Sequence, residues 1–367
     1  MTLQTHRIHN FGAGPAVLPV TVLKHIQRDL CALPGVGMSI LEISHRSRTF
    51  ESILAQAEAA IRTLAGIPDG YRVLFLQGGA SLQFSMVPLN LLETESVADY
   101  IDAGSWAEKA ILEARKVGGV NVAASTKADN YARIPDKSEL KCSHGAAYLH
   151  YTSNNTIEGT QYKEAPGIGD VPLICDASSD IFSQPLDINR HALIYAGAQK
   201  NLGPAGVTLA IVRDDLIARS AARKNSLPTM MNYAVLAENG SLYNTPPVFA
   251  IYALGLVMNW LLAQGGLVTI HRVNARKAAT LYAEIDRTGF YQGTAAHGDR
   301  SLMNVTFRLP SEQLERRFHA EASDAGLDGL KGHRAVGGMR ASIYNAFPEE
   351  GVATLVHFMR EFERQHG

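Results

Sequence analysis

The chain has 367 residues, 46% of them hydrophobic, and a formal net charge of −1. That is enough apolar material for a large core, organised as one large domain with a smaller one, and the balanced charge argues against nucleic-acid or membrane-surface binding. Three cysteines, Cys31, Cys142 and Cys175, show neither zinc-ligand spacing nor a disulfide framework, which fits a soluble protein of the reducing cytoplasm.

The start, Met1-Thr-Leu-Gln-Thr-His-Arg7, lacks the apolar core of a secretory signal. A helical pattern covers Phe50–Ala65. From about Tyr71 to Val212 strand-like and helical runs alternate. Strands are predicted over Arg72–Gln77, Val97–Ile101, Ala146–Tyr151, Pro172–Cys175, Leu193–Tyr195 and Val207–Val212, and helices over Gln83–Leu92 and Trp106–Lys116. This alternation predicts βαβ units and a mostly parallel sheet, hence an α/β fold. The apolar run Val248–Ala263 follows Pro246-Pro247 and stops at Gly265-Gly266. It is too short to span a membrane and is interrupted by Asn259 and Trp260, so it reads as a buried helix. A smaller domain follows. Its predicted elements are a helix over Ala275–Asp286, a strand over Met303–Arg308, a helix over Glu312–Ala325, a strand over Met339–Tyr344 and a closing helix over Gly351–Gln365. No internal repeat or low-complexity linker interrupts the chain.

Chemistry concentrates between the strands. Gly78-Gly79-Ala80-Ser81 follows a strand and opens a helix, where backbone N–H groups can hold a phosphate; a plain strand–helix turn reads equally well. Trp106, at another strand-to-helix turn, offers a flat apolar platform or ordinary core packing. Thr156 lies in a polar loop after a strand. Asp176 ends a strand pattern and could act as a helix N-cap, or as the carboxylate that keeps a pyridine nitrogen protonated. Lys200 sits among small residues in Tyr195-Ala-Gly-Ala-Gln-Lys200-Asn-Leu-Gly-Pro204, between two apolar strands. Desolvation there favours the neutral amine that forms a Schiff base with an aldehyde such as pyridoxal phosphate; the other reading is a surface lysine in a turn. Asn244-Thr245 precedes the two prolines as a possible helix cap. His45, Arg46, His333, Arg334 and Arg340 form a candidate anion-binding set, because arginine forks match carboxylate and phosphate geometry. Any one of them could equally be solvated surface.

The segment Tyr195–Val207 closely resembles the cofactor-lysine motif of the phosphoserine aminotransferases, class V pyridoxal-phosphate enzymes of fold type I. Asn10-Phe-Gly-Ala-Gly-Pro-Ala16, Glu42-Ile-Ser-His45-Arg46-Ser-Arg48, Gln77-Gly-Gly-Ala-Ser81, Ala103-Gly-Ser-Trp106, Asn244-Thr-Pro-Pro247 and Lys331–Asn345 also match, in order. The resemblance implies a seven-stranded large domain over residues 17–265, a smaller α+β domain over 266–367, and a segment, 1–16, joining the small domain. It implies Lys200 as the cofactor-bound, proton-moving residue and Asp176 as its partner at the ring nitrogen. Ala80, Ser81, Trp106, Thr156 and Gln199 would complete the pyridoxal 5'-phosphate contacts. Asn244 and Thr245 would reach the cofactor phosphate of the neighbouring subunit of a homodimer. Arg340 would take the substrate α-carboxylate, and His45, Arg46, His333 and Arg334 the distal phosphate or carboxylate. Two positions depart from some relatives: Ser81 stands where they carry arginine, and Ala13 where they carry serine.

The activity implied is amino transfer from L-glutamate to 3-phosphohydroxypyruvate, giving O-phospho-L-serine and 2-oxoglutarate, in serine biosynthesis. The sequence leaves open whether 4-phosphohydroxythreonine, of pyridoxine biosynthesis, is a second substrate. The alternatives are another class V enzyme, such as an alanine–glyoxylate aminotransferase or a cysteine desulfurase, and a non-catalytic dimeric binding protein. A desulfurase needs a mobile cysteine, and nothing marks Cys31 or Cys142 as one. A nucleotide-binding α/β enzyme is disfavoured, since no stretch satisfies G-x-G-x-x-G or the Walker pattern.

Overall fold

The computed structural model describes residues 7–167 and 169–367. Residues 1–6, and with them most of the reading of the N-terminal sequence, lie outside the described residues. Seven strands form the central sheet, in the spatial order Tyr71–Leu76, Thr208–Arg213, Leu193–Gly197, Leu173–Asp176, Leu149–Thr152, Val97–Asp102 and Gly119–Ser125. Thr208–Arg213 is antiparallel to both neighbours and every other pair is parallel. The three middle strands are buried at every position, as a parallel sheet covered on both faces requires. Their side chains still alternate. Leu193 and Tyr195 pack into one apolar layer, and Ile194 and Ala196 into the layer on the opposite face.

Most predicted elements are present with ends shifted by a few residues. The strand Gly119–Ser125 was not foreseen. It is a half-exposed edge strand whose Val-Asn-Val-Ala run mixes polar and small residues, so it carries little of the apolar signal that marks its buried neighbours. The short helices Val20–Asp29, Asp214–Ala221 and Tyr233–Glu238 were also unread. The helix predicted from Ala275 begins at Gly266 and runs to Ile285. Gly265 and Gly266 adopt φ of 93° and 74°, a left-handed turn that glycine accepts without a Cβ clash. It lets this helix leave Val248–Ala263 at 84°. Val248–Ala263 is largely buried, as expected. Among the described residues no single helix is long and apolar enough to cross a membrane.

Beyond the bend, Gln292–Gly293, Asn304–Arg308 and Met339–Ser342 form an antiparallel three-stranded sheet. An aromatic core built on Tyr291, Phe307, Phe318 and Phe362 backs it. Phe11 belongs to the same core, and His9–Asn10 pairs in parallel with Leu327–Asp328. The beginning of the described chain is therefore anchored to its C-terminal portion.

One buried group ties this portion together. Lys277, 1% exposed, donates to the carbonyls of Ile343, Tyr344 and Phe347 at 2.9, 2.7 and 3.1 Å. Burial pushes the Lys277 pKa down to about 7, and in its protonated form three donors meet three acceptors just past the strand that carries Arg340. Lys277→Met would strand all three carbonyls and is expected to cost about 2–4 kcal/mol of stability. Urea unfolding checks this, and an unchanged midpoint would contradict it.

Candidate active site

The carboxyl ends of the parallel strands open on one crevice, where an open α/β sheet places its ligands. A cavity of about 430 Å³ lies there. Lys200, Asp176, Trp106, Thr156, Gln199 and Arg340 line it, together with Ala80, Ser81 and His333.

Lys200 follows the strand Leu193–Gly197 directly. Its Nζ stands 5.7 Å from the centre of the Trp106 ring. Burial lowers its pKa from the ordinary lysine value and Arg340 lowers it further, while Asp176 and Asp180 pull it back up. Asp176 is 4% exposed. Its Oδ1 accepts from the Ser178 backbone N–H at 3.0 Å and from Ser178 Oγ at 2.6 Å, a local turn motif rather than a helix cap, since no helix follows. Burial raises its pKa above the usual carboxylate range, opposed by Ser178 and Lys200. Its Oδ2 accepts no hydrogen bond among the described residues.

The helix Gly79–Leu91 begins without a side-chain cap. Gly78 and Gly79 have φ of 89° and 67°, and a Cβ at Gly79 would meet nothing within 4 Å. The uncapped positive end of this helix lines the cavity, an arrangement suited to a phosphate. Trp106 is held by donating its indole N–H to Thr156 Oγ1 at 3.0 Å. Gln199 folds back over its own strand, its Oε1 2.7 Å from where a Cβ on Gly197 would stand. A seat for a phosphate, a flat ring platform, a buried acid and a desolvated amine are what pyridoxal phosphate needs, so the residues present fit that cofactor.

Arg340 enters from the small sheet. One guanidinium nitrogen donates to the Thr156 carbonyl at 2.9 Å, while Nε is buried with no partner. Burial lowers the Arg340 pKa, and Tyr344 and Glu158 raise it. The His333 pKa is lowered by burial and by Arg340.

The other expected residues are not brought to this cavity by a single chain. Arg334 is exposed and lines a neighbouring groove. His45 is half-buried with an unpartnered Nε2, and Arg46, Asn244 and Thr245 are exposed. Asn244 Oδ1 accepts from Gln77 at 3.3 Å, beside the helix start. The Ala13 carbonyl is engaged by the Tyr344 hydroxyl at 2.8 Å. Thr152, whose buried Oγ1 lacks a partner, also lines the cavity and went unnoticed in the sequence. Ser178 lines it too; it lies in the polar run opened by Asp176, and its position two residues on is a local signal for a side chain bonding the backbone ahead.

The model of the family described as aminotransferase class-V matches residues 8–355. A phosphoserine aminotransferase of Desulfatibacillum aliphaticivorans is 53% identical over 364 residues, 99% of each chain. The chain belongs to the phosphoserine aminotransferase family. Among solved structures, the phosphoserine aminotransferase from Bacillus circulans subsp. alkalophilus superposes with a TM-score of 0.96 at 49% identity, covering 99% of this chain and 100% of that one. A phosphoserine aminotransferase from Trichomonas vaginalis, described as PLP-bound, gives 0.93 at 35% identity, covering 96% and 100%. Two of the three cysteines, Cys142 and Cys175, do not suit desulfurase chemistry. Cys175 is buried in a strand and its thiol pKa is raised by burial, and burial with Asp99 pushes Cys142 up to about 11.

Because the Lys200 pKa is lowered, its neutral form is already populated below the pH at which an ordinary lysine deprotonates. Competitive acetylation of the cofactor-free protein across pH, read by peptide mapping, should give Lys200 an apparent pKa below the ordinary lysine value. An ordinary or raised value would contradict the desolvation described here.

Proposed function

We propose that the chain transfers the amino group of L-glutamate to 3-phosphohydroxypyruvate, giving 2-oxoglutarate and O-phospho-L-serine, with pyridoxal 5'-phosphate bound at Lys200. The observation that carries this reading is the meeting, in one cavity, of a desolvated lysine, a buried acid and a half-unpaired arginine. The glycine-flanked helix start at Ala80 and Ser81 would hold the cofactor phosphate, and Trp106 would lie against its ring. Thr156 and Gln199 would contact its polar edge, and Asp176 would keep its ring nitrogen protonated. When bound, the cofactor supplies an electron sink that makes the substrate Cα–H acidic.

The chain's own groups do the rest. Arg340 would take the α-carboxylate through its free Nε edge, which fixes the direction of the Cα–H bond. The Lys200 amine, once released by the incoming amino group, would accept that proton and return it on the other side of the transfer. Its lowered pKa suits it to this, because the amine must be neutral to accept. His45, Arg46, His333 and Arg334 would read the distal anion. In a single chain, His45, Arg46, Asn244 and Thr245 do not line the cavity. Exposed Met38, Leu41 and Tyr243 lie close to them in sequence. This supports a homodimer in which these residues serve the partner's site. Residues 17–265 and 266–367 would then be the large and small domains, with 1–16 joining the small one. A cytoplasmic location, and activity on 4-phosphohydroxythreonine, are further parts of this reading.

Two measurements test it. Borohydride reduction of the cofactor-loaded protein, followed by peptide mapping, should leave the pyridoxyl label on Lys200; a label on another lysine would sink the assignment. In steady-state assays, Arg334→Ala should lose mainly phosphoserine turnover over serine turnover, by about 2–5 kcal/mol in kcat/KM. Arg340→Ala should instead weaken both substrates alike. Equal losses in Arg334→Ala would contradict this division of the anion-binding set.

A further inference from the structure

Glu158 lies at the junction of the groups that hold ring and substrate. It is 6% exposed. Its Oε1 accepts from the Ser105 backbone N–H at 2.8 Å and from Ser105 Oγ at 2.6 Å. Those donors open the helix Ser105–Ala114, whose capping position is Gly104 and therefore has no side chain to offer. A carboxylate from a distant loop thus caps the helix that carries Trp106. The approach is close: a Cβ at Gly104 would sit 3.1 Å from Glu158 Oε2. The Glu158 carbonyl is fastened in turn by Thr306 Oγ1 at 3.0 Å and Thr294 Oγ1 at 3.4 Å.

The second carboxylate oxygen has a different role. Glu158 Oε2 and Arg340 Nε are both buried without a hydrogen-bond partner. Both residues line a second cavity, of about 550 Å³. That cavity shares Ile157, His333 and Arg340 with the crevice above Lys200. The loop between them is bonded on both sides. Thr156 accepts from Trp106 through its hydroxyl and from Arg340 through its carbonyl, at 3.0 and 2.9 Å. One short segment, Thr156 to Glu158, therefore ties the ring platform to the carboxylate-binding arginine.

We propose that Glu158 is a positioning residue with two tasks: it clamps the Trp106 helix through Ser105, and it is the resident counter-charge of Arg340 when no substrate carboxylate is present. This rests on the reading of Arg340 as the α-carboxylate site. A desolvated guanidinium with no anion nearby is costly to hold. A fixed carboxylate close by, but not paired to it, lowers that cost and leaves the Nε edge free for the substrate. Burial raises the Glu158 pKa overall, and Ser105 and Arg340 offset part of that rise, so these two partners are what favours its charged form. The same charge opposes the arriving carboxylate, so affinity is traded for release of product.

The trade gives a signature that structural damage cannot imitate. Glu158→Gln keeps an acceptor for Ser105 and removes the opposing charge. Calorimetric titration of the cofactor-loaded enzyme with glutarate, a non-reacting dicarboxylate, should then show roughly three- to tenfold tighter binding than in the unsubstituted enzyme. KM for glutamate should fall together with kcat. A local packing defect would weaken binding. Ser105→Ala, which loosens the clamp but keeps the charge, should leave glutarate affinity unchanged and shift Trp106 fluorescence in a Trp260→Phe background. Unchanged or weaker glutarate binding in Glu158→Gln, or tightening in Ser105→Ala, would overturn the proposal. Arg340→Ala separates the two levels. If it binds glutarate as the unsubstituted enzyme does, the carboxylate role of Arg340 fails and this inference fails with it. If it loses binding while Glu158→Gln gains none, only the counter-charge role fails.

Discussion

Two ionisable groups share one buried crevice at the ends of adjacent strands, and burial acts on them in opposite directions. It raises the Asp176 pKa and lowers the Lys200 pKa, while each group's charge offsets the shift of the other. A lone buried acid would take up a proton and a lone buried lysine would lose one. Here the acid is kept in use by Ser178, which donates twice to one of its oxygens, and the other oxygen is left for a ligand. The amine is left desolvated, which is the state in which it can react with an aldehyde or take a proton. The chemistry of the site follows from this unequal treatment of two neighbours.

The sheet makes the arrangement possible. Thr152, Asp176 and Tyr195 sit side by side across three parallel strands, so their following loops open at the same edge. The antiparallel strand Thr208–Arg213 separates the Lys200 strand from Tyr71–Leu76, and the phosphate seat at Gly78 follows that last strand. The small sheet delivers Arg340 from a different direction, and buried Lys277 fixes the turn behind it. Trp106 and Arg340 therefore come from two separately built layers, joined through the loop from Thr156 to Glu158.

What the sequence made legible follows from how local each signal is. Lys200 among small residues, Asp176 at a strand end and the Gly78-Gly79 pair are short-range patterns, and the structure brings all three to one cavity. The α/β alternation was readable because the central strands are mostly apolar and fully buried, whereas the edge strand Gly119–Ser125 is half-exposed and left no such mark. Glu158 lies in the polar loop that follows a strand and carries no local signal of its own. Its meaning depends on Ser105 and Arg340, far away along the chain, and no spacing rule reaches that distance. Thr152 was hidden for the same reason: a threonine inside a buried strand looks like packing until its hydroxyl is seen to lack a partner. For Asn244 and Thr245, the role suggested by family resemblance involves a second chain, and His45 and Arg46 likewise do not line the cavity of a single chain.

The central claim is that Asp176 controls the protonation of the cofactor ring from its buried position. Nitrogen NMR of the protein loaded with ring-nitrogen-labelled pyridoxal phosphate reads that proton directly. The account predicts a protonated ring nitrogen in the unsubstituted protein and an unprotonated one in Asp176→Asn, with the label still bound at Lys200. A nitrogen that is protonated in both proteins, or in neither, would contradict it.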